Sequence, residues 1–126
     1  MCGRLKYDEK PKFGATILPG EFTWYTTSSG EEGTAKWDGF RRSENLGLPT
    51  KEKRTEVIIP AKTYTEKHKN PDGSKTDVWF KVPEGYGIRA MKIGDKLCIV
   101  TRRATSEELA QCNHIRQPMF NKLREE

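Results

Sequence analysis

The sequence predicts an α+β chain dominated by strands, either a curled antiparallel sheet or an irregular β-barrel with few helices. Three observations predict this class. Short β-branched and aromatic runs recur along the chain, separated by Gly, Pro, Asn and Asp. A single segment, Thr105-Ser106-Glu107-Glu108, carries a helix-start signal, the capping box. The chain has 126 residues, of which 33% are hydrophobic and 33% charged, which fits one domain (1–126) with a modest core.

Taken in order, Phe13 to Leu18 and Phe22 to Thr27 read as strands joined at Pro19-Gly20. Ser28 to Gly33 is a polar turn, Thr34 to Arg41 is extended, and Arg42 to Arg54 has loop composition. Glu56 to Ala61 is the strongest buried-strand pattern. Lys62 to Lys69 and Thr76 to Val82 flank Asn70-Pro71-Asp72-Gly73, a hairpin signal because proline presets φ and Asp-Gly tolerates a tight reversal. Gly87 to Ile93 and Lys96 to Thr101 give two more strands around Gly94-Asp95. The helix starts at its N-cap Thr105, runs to about Cys112 and stops at Asn113.

Composition excludes some functions and leaves others open. The longest apolar runs, Val57-Ile58-Ile59 and Leu97-Cys98-Ile99-Val100, are far too short to span a bilayer, so no membrane role is expected. Charge rather than an apolar segment follows Met1-Cys2-Gly3-Arg4, so the expected compartment is the cytoplasm. Cys2, Cys98 and Cys112 are odd in number and scattered, which argues against a disulfide framework; Cys98 reads as a small core residue. Cys112-Asn113-His114 offers two donors but no zinc spacing, so neither metal nor other cofactor is expected. A net charge of +5 is compatible with a polyanionic partner.

Cys2 carries the most distinctive chemistry. Removal of Met1 leaves a free 1,2-aminothiol, whose amine (pKa about 7.7–8.0) and thiol (about 8.5) both have reactive fractions near neutral pH. The amine attacks an aldehyde to form a Schiff base, and the adjacent sulfur closes a five-membered thiazolidine.

Cys2-Gly3-Arg4, with four later segments, resembles the SOS response-associated peptidase (SRAP) family. Ile59-Pro60-Ala61-Lys62-Thr63-Tyr64-Thr65-Glu66 is similar to the strand that ends in that family's catalytic glutamate. Trp79-Phe80-Lys81 through Ala90-Met91-Lys92-Ile93-Gly94 resembles the following hairpin. Ile99-Val100-Thr101-Arg102-Arg103-Ala104 and His114-Ile115-Arg116-Gln117-Pro118 match the ending I-V-T-x-x-A … H-x-R-x-P. Arg42-Ser43-Glu44, behind Trp37-Asp38-Gly39, is similar to the Arg-x-Glu stretch after the family's Trp-Gly element. The match is nearly continuous from Ile58 to Pro118, while residues 5 to 57 look like a shortened version of a longer region.

The resemblance implies covalent capture of abasic sites in single-stranded DNA by a monomer, self-removal of Met1, and strand-scission (lyase) potential. It implies a catalytic set of Cys2, Glu66 and His114: Glu66 as general acid/base with a raised pKa, His114 donating to a sugar hydroxyl. It also implies that Arg4, Arg42 and Arg116 contact phosphates, that Thr101 hydrogen-bonds the site, and that Trp37 either stacks on a base or belongs to the core. One departure stands out. Where the family carries an asparagine two residues before the arginine of Arg-x-Glu, this chain has Phe40, and Asn45 is the nearest substitute. Two other classes remain open: a non-catalytic single-strand-binding module, and a cysteine hydrolase pairing Cys2 with His114.

Overall fold

The computed structural model describes residues 2–7 (Cys2 by its backbone), 15–45 and 53–123. Its strands are β1 (Cys2–Tyr7), β2 (Thr16–Ile17), β3 (Phe22–Thr26), β4 (Glu32–Arg42), β5 (Arg54–Ile59) and β6 (Ala61–Lys69). They continue as β7 (Lys75–Lys81), β8 (Tyr86–Ile93), β9 (Lys96–Arg103), β10 (Arg116–Pro118) and β11 (Phe120–Lys122), with one α-helix, α1 (Ser106–Gln111), between β9 and β10.

Two sheets form. One has the order β2-β1-β6-β7 and the other β10-β9-β4-β3-β5-β8-β11. An additional β8–β9 pairing closes β9-β4-β3-β5-β8 into a five-stranded barrel, so the expected irregular barrel is present. The β3–β5 junction is thin, held in register at Thr26↔Ile58. The ladders are antiparallel except for β4–β9, which is parallel because a long excursion through β5–β8 separates the two strands.

Side-chain alternation fills the barrel. Ala35 and Trp37, Val57 and Ile59, Ile88 and Ala90, and Leu97 and Ile99 are all buried, each pair spaced two residues apart on its strand. Leu5, Tyr7, Tyr64 and Phe80 from the four-stranded sheet join the same cluster, so the two sheets share one core. The Tyr7 hydroxyl donates to the carbonyl of Trp24 at 2.8 Å and ties β1 to the barrel.

Several sequence boundaries shift for physical reasons. The Glu56–Ala61 run is two strands, because Pro60 has no N–H to give the ladder. Beyond it the chain changes sheets: β5 pairs with β8, whereas β6 pairs with β1 and β7. Pro19-Gly20 also links different sheets, since β2 pairs with β1 and β3 with β4. The first expected strand, Phe13 to Leu18, is described from Ala15 onward and is extended at Thr16–Ile17. Residues 8–14, and residues 46–52 of the expected loop, lie outside the described residues. The loop begins as a 3-10 turn at Ser43–Asn45.

The Asn70–Gly73 hairpin forms as expected, with Gly73 at φ 89°. The Thr105 hydroxyl accepts from the Glu108 amide, and the Glu108 carboxylate accepts from the Thr105 amide at 2.9 Å, completing the capping box. Among the described residues no helix is long and apolar enough to cross a membrane.

Candidate functional site

The start of the chain is the outcome the sequence left most open, and it is a strand. Leu5 and Tyr7 are buried while Arg4 and Lys6 are exposed, an alternation that docks β1 beside β6. In that ladder Cys2 is the Cα partner of Glu66, and Leu5 is the partner of Tyr64. Three steps along β1 therefore match two along β6, leaving a bulge at Gly3-Arg4. Glycine suits this place, because a Cβ on Gly3 would sit 3.2 Å from the Thr65 hydroxyl.

Glu66 lies mid-strand on the inward face of β6, two residues after core Tyr64, and is fully buried. Burial pushes its carboxyl pKa up from 4.5 to about 7, against an opposing pull from the amino-terminal charge, and Glu108 adds to the rise. His114 Nδ1 stands 3.4 Å from Glu66 Oε2. The same nitrogen is 2.9 Å from the Arg116 carbonyl oxygen and 3.2 Å from the Arg116 amide. One atom cannot donate to a carbonyl and accept from an amide at once, so the tautomer decides which contact holds. Desolvation, reinforced by the amino-terminal charge, lowers the His114 pKa and favours neutral imidazole.

A residue without an assigned role in the motif brings His114 to Glu66. Asn113 accepts from the Lys69 amide at 2.9 Å and donates to the Lys69 carbonyl at 2.8 Å, like one further step of the β6 ladder. Its own amide donates to His68 Nδ1 at 3.2 Å. Cys112, the helix C-cap, is fully buried in the core and anchors the other side of the segment. Asn113 was legible only as a helix stop; its clamp on Lys69 is a tertiary contact with no local signal.

The arginines divide. Arg116 is not a free phosphate ligand: it is buried, and its guanidinium donates to the Thr101 carbonyl at 2.8 Å and to Glu44 Oε1 at 3.2 Å. The Thr101 hydroxyl accepts from the same guanidinium at 3.3 Å, so it serves this buried strut rather than the Glu66 side. Arg42 is exposed and lines a groove of about 310 Å³ with Glu44, Arg103, Leu109, Ile115 and Arg116. Arg4 is exposed and pairs with Asp77 at 2.7 Å.

Trp37 belongs to the core. It is fully buried by the inward alternation of β4, so it cannot stack on a base in this structure. Phe40 packs edge-on against its ring at 6.1 Å and takes its place in the barrel packing. Asn45 is exposed at the end of the 3-10 turn. Cys98 is half-buried, not core: its neighbours Leu97 and Ile99 point inward, and its Sγ donates to the Asp38 carbonyl at 3.3 Å. Among the described residues no group of three His, Cys, Asp or Glu could hold a metal ion.

Comparison with protein-family models, with curated proteins and with solved structures gives no match for this chain. What the site means therefore rests on its own chemistry and on the motif residues.

Proposed function

We propose that the chain captures abasic sites in single-stranded DNA covalently, as a shortened SRAP-like protein acting through Cys2 once Met1 is removed. The observation that carries this reading is the Cys2↔Glu66 register, which sets the residue bearing the aminothiol across a ladder from a buried carboxyl with pKa about 7.

The steps balance. The ring-opened deoxyribose presents an aldehyde at C1′. The Cys2 amine adds to it, the carbinolamine loses one water, and the thiol adds to the imine carbon to close the thiazolidine. The sum is aldehyde plus aminothiol giving thiazolidine plus water. A group near pKa 7 is protonated about half the time at neutral pH, so Glu66 can donate to the departing hydroxyl and later accept a proton. Neutral His114, 3.4 Å away, is the partner with which Glu66 exchanges that proton. If the imine persists instead, it acidifies the adjacent C2′ position, and loss of the 3′ phosphate becomes a strand-scission route.

The reading is tested with Cys2→Ala and abasic single-stranded DNA. The stable adduct should vanish, while a Schiff base remains trappable by borohydride because an α-amine is still present. An equal yield of stable adduct on Cys2→Ala overturns the proposal, because another nucleophile then makes the bond, and no adduct with the parent protein returns the chain to a non-catalytic DNA-binding class.

A further inference from the structure

The four-stranded sheet has a second, outward face. Trp79 on β7 is 45% exposed there, and its strand neighbour Phe80 turns into the core. In the β6–β7 register Trp79 stands opposite Thr65, with Lys81 opposite Thr63 on one side and Asp77 opposite Lys67 on the other. Lys6 of β1 continues the Thr63 row, and Lys69 stands opposite Lys75 at the far end. All of these lysines are exposed.

Among the described strand residues of this face, Asp77 is the one carboxylate, and it is already held by Arg4 and Lys67. We propose that this face is a docking platform for undamaged single-stranded DNA flanking the lesion, with Trp79 stacking on a base and the lysine rows following the phosphates. This rests on the function proposed above and adds a surface to it. Charge complementarity selects a polyanion, and an exposed aromatic among cations selects unpaired bases, since a duplex offers no free π-face along its length. The platform adjoins the catalytic side: Arg4 follows Cys2 by two residues, and Lys75 is near enough to His114 to help lower its pKa.

The test titrates an undamaged thymidine oligonucleotide into the protein while reading tryptophan emission and fluorescence anisotropy. Binding should quench emission and weaken steeply with salt. Trp79→Ala should weaken affinity about ten-fold, Trp79→Phe should restore most of it, and Lys81→Glu should reduce both affinity and salt dependence. Wild-type affinity in Trp79→Ala and Lys81→Glu overturns the platform, even if abasic DNA still crosslinks at Cys2. Quenching that Trp79→Phe abolishes sustains it, even if no crosslink forms. Equal affinity for duplex DNA, or for the same strand after Trp79→Ala, overturns the stacking role.

Discussion

Glu66 Oε2 and His114 Nδ1 lie 3.4 Å apart, and burial drives both groups toward their uncharged forms. With a pKa of about 7 the Glu66 carboxyl is part-protonated at neutral pH, so it can give a proton in one step and take one back in the next, as addition, dehydration and ring closure require. A proton passed to His114 leaves a carboxylate and an imidazolium whose charges offset each other.

The first prediction is a pH signature of stability. The Glu66 pKa is raised on folding, so the contribution of its protonated form is fully present below 4.5 and is lost as pH rises toward about 7. Glu66→Gln keeps a neutral group at every pH. Its stability relative to the parent should rise by about 3 kcal/mol between about pH 5 and about pH 8, read by urea unfolding. A difference that does not change with pH means the carboxyl is not desolvated.

Glu66→Gln should also slow both crosslink formation and reversal by about 10²-fold, the usual contribution of a positioned acid/base. Single-turnover kinetics on abasic strands measure it. Rates within about twofold of the parent would place Glu66 outside the chemistry.

His114→Ala should slow adduct formation at neutral pH without altering affinity for undamaged strands. Asn113→Ala removes the clamp on Lys69 and should act in the same direction, with a smaller effect because His114 itself is retained. Comparable loss of undamaged-strand binding in both variants would point to a misfolded surface.

Arg116→Ala should cost about 2–3 kcal/mol of stability, because its charged hydrogen bonds to Thr101 are buried. A side chain serving only phosphate would change DNA affinity and leave the unfolding midpoint alone. Equilibrium denaturation separates the two.

Phe40→Asn should destabilise by about 1–3 kcal/mol and give no gain in crosslinking rate, since Phe40 packs on Trp37 in the barrel. A faster crosslink would mean that this position takes the role of the family's asparagine rather than a place in the core.

Strand by strand, the sequence was legible wherever alternation or turn chemistry was strong, as in β8, β9, the β6–β7 hairpin and the capping box. It was less so where long-range pairing decides. The terminal strand β1 alternates visibly at Arg4–Tyr7, but only its docking beside β6 makes that alternation structural. The residues of β10, Arg116, Gln117 and Pro118, are all buried, yet two are polar and one lacks an N–H, so no local pattern marks a strand. The site divides the same way. Glu66 and His114 were named from motif order and do meet, whereas Trp37, Thr101 and Arg116 went to the core or to a buried strut because their partners lie on distant strands.

The most direct test is the intact mass of the purified protein before and after mixing with abasic single-stranded DNA. Before mixing, the mass should correspond to a chain beginning at Cys2. Afterwards it should rise by that of the oligonucleotide less one water, survive denaturation without any reductant, and be absent with undamaged DNA. A chain that retains Met1, or one that remains unmodified after incubation with abasic DNA, would contradict the account.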